Sequence, residues 1–99
     1  METLQKIKHH RLAIFKIIED AGGSVIHLYG SVAKGTDTPE SDIDFLINCH
    51  KESIQMTMIA VAGMTYELEM LLEREVHIHV RSLLRRDVVR TLINNTVPL

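Results

Sequence analysis

Two carboxylates two positions apart, Asp42 and Asp44, follow a glycine-bounded turn, Gly30-Ser31-Val32-Ala33-Lys34-Gly35, after a short polar loop. On an extended strand, alternate residues project from one face, so both carboxylates point the same way. Side by side they repel unless a cation sits between them, which is the arrangement that holds hard Mg²⁺ ions. The turn supplies the complementary half. Gly30 and Gly35 allow a tight bend and close approach of a ligand. Ser31 opens a helical turn whose hydroxyl and N–H groups are donors for a phosphate, and Lys34 adds a positive charge. A phosphate cradle beside a two-carboxylate clamp suits phosphoryl or nucleotidyl transfer. A Gly-Ser turn or an Asp-x-Asp alone would be unremarked surface chemistry; their combination at this spacing carries the reading.

The elements that must position these groups follow from periodicity. Leu4, Ile7, Ile14, Phe15 and Ile18 recur at helical spacing and predict one first helix, stopped at Ala21-Gly22-Gly23. Ser24 to Tyr29 reads as a strand ending at Gly30, and Ser31 to Lys34 as a short helical turn closed by Gly35. Thr36 to Glu40 is loop, Asp42 to Asn48 a second strand, Glu52 to Arg74 a long helix and Val76 to Val80 a third strand. Ser82 is placed to N-cap a last helix carrying Leu84, Val88, Leu92 and Ile93. This order predicts an α/β fold, a small mixed β-sheet covered by helices, with residues 1–99 forming one domain.

Composition narrows the setting. Charged residues make up 24% of the chain and the net charge is −2, which argues against a nucleic-acid coat or a polybasic membrane anchor. Cys49 stands alone and has no partner for an internal disulfide, as expected of a cytoplasmic protein. The N-terminal residues lack the apolar core of a signal peptide, and no apolar run approaches the ~20 residues that span a bilayer.

Gly30-Ser31-x-Ala33-x-Gly35 followed by Ser41-Asp42-x-Asp44 resembles the signature of the DNA polymerase β-like nucleotidyltransferases. It is most similar to the minimal nucleotidyltransferase group, small proteins paired with HEPN-domain ribonuclease toxins. The resemblance covers nearly the whole chain. It implies a polymerase β-like fold that binds Mg-ATP and an antitoxin that transfers AMP to a tyrosine of its toxin. It further implies that Gly30, Ser31 and Lys34 hold the triphosphate while Asp42 and Asp44 hold Mg²⁺. One position departs from the pattern. The family places a third carboxylate on the next core strand, where this chain has His77 within Glu75-Val76-His77-Ile78-His79-Val80. Catalysis is lost there, or His77 serves as the base, since imidazole titrates near neutrality, or Glu75 reaches in. A binding-only antitoxin that keeps the fold is the alternative function. A small-molecule transferase is disfavoured, because no further domain is present to build a substrate pocket.

The long helix carries two apolar stripes. At 100° per residue, Ile54, Met58, Val61, Leu68 and Leu72 form one, expected to face the sheet; Met56, Ile59, Gly63, Tyr66 and Met70 form another roughly opposite. The second needs a cover of its own, and methionines suit adaptable contacts, so Met56, Ile59, Tyr66 and Met70 are the candidate partner surface. His9 and His10 are expected on solvated surface, His27 and Cys49 in packing roles, and Arg81, Arg85, Arg86 and Arg90 on a solvated basic face or against an acidic partner or ATP phosphates.

Overall fold

The computed structural model describes residues 2–99, arranged as five helices and four strands among the described residues. In chain order these are α1 (Thr3–His9), α2 (Arg11–Asp20), β1 (Gly23–Tyr29), α3 (Gly30–Lys34), β2 (Ile43–Cys49), α4 (Ile54–Leu72), β3 (Val76–Val80), α5 (Arg86–Ile93) and β4 (Val97–Pro98). The sheet runs β3-β2-β1-β4. β1 pairs antiparallel with both β2 and β4, whereas β2 and β3 are parallel. The sheet is therefore mixed, as expected, and α4 is the crossover that the parallel pair requires.

One apolar core lies between sheet and helices. Ile14 and Ile18, four apart on α2, are fully buried with Ile7 of α1, and they meet Leu28, Phe45 and Ile47 from the two central strands. α4 adds Val61, Met64, Leu68 and Leu72. Ser53 caps this helix by accepting from the Met56 N–H at 3.1 Å. At its other end the Lys6 ammonium donates to the Leu72 carbonyl at 2.9 Å, satisfying one of the orphan acceptors of a helix C-terminus.

Four details differ from the sequence reading. The first helix is two, broken at His10, whose backbone leaves the helical region (φ −94°, ψ 14°) although the apolar spacing continues across the break. β2 begins at Ile43, so Asp42 stands just before the strand and Asp44 within it. The inward stripe of α4 uses Thr57 and Met64 instead of Ile54 and Met58, which are 66% and 52% exposed. Met58 lies on the flank of the arc centred on Val61 and Leu68, whereas Ile54 shares the angle of the buried Leu72 but is the first residue of the helix. Thr57 is accommodated because its hydroxyl donates to the Ser53 carbonyl at 3.0 Å. Finally, Ser82 caps nothing. Residues Arg81–Leu83 form a 3₁₀ turn, Leu84 is extended, and α5 starts only at Arg86. Among the described residues no helix is long and apolar enough to cross a membrane.

Candidate active site

The site gathers where β1 ends and β2 and β3 begin. Register places Asp44 of β2 between Tyr29 of β1 and His77 of β3. The starts of the parallel strands are joined by the Ile43 N–H donating to the Glu75 carbonyl at 2.9 Å. This brings Asp42 beside the third strand: its Oδ2 lies 3.0 Å from Nε2 of His77. Alternation on β3 sets Glu75 on the same face, with its Oε1 3.5 Å from the same nitrogen. Asp42, Glu75 and His77 thus each offer one donor atom within 4.8 Å of the others. Asp44 is not part of that trio but sits next to it.

Gly30 is shaped by this neighbour. Its φ is +74°, and a Cβ there would meet Oδ2 of Asp44 at 2.5 Å. Any side chain would therefore collide with the carboxylate as well as strain the backbone. The Gly-Ser turn is thus seated directly against Asp44. Gly35 closes α3 in the left-handed region at φ +75°, with open space around it. Ser31 is half-buried, and its carbonyl accepts from the Thr36 N–H at 2.9 Å. Lys34 stands exposed at the end of α3 and makes no ion pair among the described residues.

Burial lifts the Asp44 carboxyl above its ordinary value; of the nearby charges, His77 draws it back down, Asp42 raises it further and His79 lowers it. Tyr29 is pushed up to about 12, by burial first and by Asp44 second, so its phenol keeps its proton. Its ring meets that of His79 edge-on at 5.5 Å. These residues fit a divalent cation: the carboxylates of Asp42 and Glu75 and the imidazole of His77 converge, and a cation there would also favour the charged form of the neighbouring Asp44.

The loop that delivers Asp42 is held by groups that sequence reasoning missed. Arg74 donates to the carbonyls of Ser41 and Thr38 and to the hydroxyl of Thr3, and the Thr3 hydroxyl itself donates to Asp37. Glu69 accepts from the Val76 N–H at 3.0 Å and fixes the start of β3. Polar residues at helix ends carry no period, so nothing in the pattern singled them out. Elsewhere, Arg81 turns inward toward Nδ1 of His27 at 3.4 Å, away from the site's end of the sheet, while Arg85 pairs with Asp87 on the exposed face of α5. Met56, Ile59, Tyr66 and Met70 are all exposed, on a helix that passes unbroken through Gly63.

A mixed sheet that presents carboxylates at the adjoining starts of two parallel strands, beside a glycine-led turn, is the architecture of a nucleotidyl-transferring domain. Residues 12–99 match the nucleotidyltransferase domain family, and the chain belongs to it. No match is found among proteins of curated function. Among solved structures, one described as a minimal nucleotidyltransferase superposes over 100% of this chain and 97% of its own, with a TM-score of 0.85 at 25% identity. A toxin-antitoxin structure with AMP-PNP shares the fold over 86% of this chain and 68% of its own, with a TM-score of 0.71 at 21% identity.

Proposed function

We propose that the chain is a single-domain minimal nucleotidyltransferase of the antitoxin type, acting in the cytoplasm. It transfers AMP from Mg-ATP to a hydroxyl, a tyrosine's by expectation, of a HEPN-type toxin that it also binds. The observation that supports this reading is the fit of Gly30 against Asp44, which seats the Gly-Ser turn directly on one of the two carboxylates. The likeness to a toxin-antitoxin structure with AMP-PNP supports the choice of partner class.

In this reading Gly30, Ser31 and Lys34 bind the triphosphate. The backbone of the turn approaches the phosphates closely because residue 30 has no side chain. Asp42 and Asp44 hold Mg²⁺, with Glu75 within reach of the same space. The bound ion supplies charge stabilisation at the phosphoryl group. The chain's own part is to orient the α-phosphate against the acceptor hydroxyl and to receive its proton. In this reading that proton is assigned to His77, the imidazole beside Asp42. Met56, Ile59, Tyr66 and Met70 of α4 form the toxin-facing surface, a row of exposed apolar side chains on one helix.

The test is co-incubation of the chain with its HEPN-type partner, labelled ATP and Mg²⁺, with the adduct read by mass spectrometry. Asp42→Asn combined with Asp44→Asn should abolish transfer and leave the fold intact, because both residues lie at the rim of the core. Transfer surviving that double change would overturn the mechanism. One observation favours a second reading: an imidazole stands where the family pattern has a third carboxylate, and it already pairs with Asp42. A wild-type chain that neutralises its toxin without adding mass to it would establish a binding-only antitoxin.

A further inference from the structure

The trio at the site differs in chemistry from a carboxylate-only Mg²⁺ clamp, and its spacing is informative. Donors held ~2.1 Å from an ion stand ~3.0 Å apart on an octahedral edge and ~3.4 Å apart on a tetrahedral one. Nε2 of His77 lies 3.0 Å from Oδ2 of Asp42 and 3.5 Å from Oε1 of Glu75. Both separations lie in the range that two donors of one ion adopt, and they meet at the imidazole nitrogen. The third separation, carboxylate to carboxylate, is within 4.8 Å, and both side chains are partly exposed and free to close on an ion. The backbone keeps the geometry. Glu75 and His77 alternate onto one face of β3, and the Ile43–Glu75 hydrogen bond fixes the start of β2, and hence Asp42, against them.

We propose that Asp42, Glu75 and His77 form a three-ligand site for a first-row transition-metal ion, which this chain binds in preference to Mg²⁺ and without nucleotide. Imidazole is a good ligand for Mn²⁺, Co²⁺, Ni²⁺ and Zn²⁺ and a poor one for Mg²⁺, which demands oxygen donors and gives up its waters reluctantly. The ion leaves coordination positions open beyond the three protein donors, next to Asp44 and the Gly-Ser turn, where phosphate oxygens would complete its shell. The proposal shares Asp42, Glu75 and His77 with the transfer reading, and an imidazole nitrogen that binds the ion makes His77 a ligand and not the base; it rests on that reading only for the site's being a metal site.

The experiment titrates the metal-free full-length chain with Co²⁺, Mn²⁺ and Mg²⁺ by calorimetry, with no nucleotide present, and follows the visible absorption of Co²⁺. One equivalent of Co²⁺ should bind at least tenfold more tightly than Mg²⁺ and develop a coordinated spectrum. Even a residue that only supports a metal ligand is worth ~10–100-fold in affinity. His77→Ala and Glu75→Gln should therefore each weaken Co²⁺ by about tenfold or more, while Mg²⁺ changes little with His77→Ala. His77→Asp, which offers oxygen in place of nitrogen, should narrow the gap between the two ions. His9→Ala with His10→Ala removes exposed imidazoles elsewhere and should leave Co²⁺ binding unchanged. Equal affinity for Co²⁺ and Mg²⁺, a loss that follows His9 and His10 or His79→Ala instead of His77, or a His77→Ala variant that binds Co²⁺ as well as wild type would each overturn the proposal and leave the Asp42–His77 contact a simple hydrogen bond. A chain that binds Co²⁺ this way and transfers no AMP would refute the transfer reading alone.

Discussion

Gly30→Ala and Gly35→Ala make a paired test of how the turn is joined to the carboxylates. Both glycines have nearly the same backbone conformation, φ +74° and +75°. An alanine in the left-handed region costs ~1–2 kcal/mol, and the stiffer unfolded chain returns ~0.4–1 kcal/mol, so the conformational loss is about 1 kcal/mol at either position. They differ in what the new methyl group meets. At residue 35 nothing lies within 4 Å, whereas at residue 30 the Asp44 carboxylate oxygen lies 2.5 Å away. Relieving that overlap forces Asp44 off its rotamer or shifts the turn, at a further ~0.5–1.5 kcal/mol. For a domain of this size each kcal/mol is worth ~4–8 °C in Tm. Gly35→Ala should therefore lower Tm by about 4–8 °C and Gly30→Ala by about 6–20 °C. Thermal denaturation gives the first reading, and Mg-dependent ATP binding by calorimetry gives the second. Gly30→Ala should lose ATP affinity well beyond Gly35→Ala because it displaces a carboxylate as well. Equal losses of stability and of ATP binding in the two variants would refute the idea that the turn and Asp44 are one unit.

Met56→Lys with Met70→Lys should leave Tm nearly unchanged, since both side chains are about half or more exposed, yet weaken toxin binding several-fold by burying unpaired charge; a large Tm drop, or unaltered binding in a pull-down with purified toxin, would remove α4 as the docking face. Asp44→Asn should stabilise the metal-free protein at pH 7. Burial raises the folded pKa above the unfolded value of ~3.9, so wild-type stability is fullest below that pH and is lost as pH rises through the folded value. The advantage of the variant should close as pH falls below ~3.9, and Tm measured with chelator at both pH values checks it. Arg74→Ala should cost ~1–3 kcal/mol by freeing the Ser41 and Thr38 carbonyls and the Thr3 hydroxyl, seen as a lower denaturant midpoint, and should reduce ATP binding by loosening the loop before Asp42.

Much of this was legible because it is periodic or because it is backbone chemistry. The alternation of Ile43 and Phe45 with Asp44 marks a strand with one apolar face, and glycine at positions 30 and 35 marks left-handed turns. The third strand, Val76–Val80, is found where its β-branched residues put it. The failures have physical causes. The break at His10 leaves the apolar spacing undisturbed, so no pattern betrays it. β4 is two residues long and includes a proline, too short to have a period. Val25 sits at φ +51° in an irregular stretch of β1, a conformation that a β-branched residue does not advertise. Serine at position 82 invites a cap, but Leu84 turns extended before the helix can begin. Ile54 and Met58 were assigned inward because a stripe defined by angle alone ignores where the sheet stops. In the site, the resemblance set His77 at the position of a third carboxylate, while its contact with Asp42 and the polar contacts of Arg74 and Glu69 are revealed only in three dimensions.

The grip of Arg74 has a consequence for the order in which the molecule assembles. β1 and β2 are consecutive strands and antiparallel, so they can pair once the connection that carries α3 has closed between them. The residues that make the pair useful come later. Arg74 reaches Ser41 across 33 positions and Thr3 across 71, and β3 cannot dock in parallel until all of α4 has been made and folded back. Contacts of such span pay their loop-closure entropy before they return anything, which slows the step that forms them. The hairpin is a scaffold that waits with its carboxylates unaccompanied, and the last third of the chain converts it into a site. A nascent chain stopped short of Arg74 would hold Asp44 in its strand but leave Asp42 on a loop without the Arg74 grip and without β3 beside it.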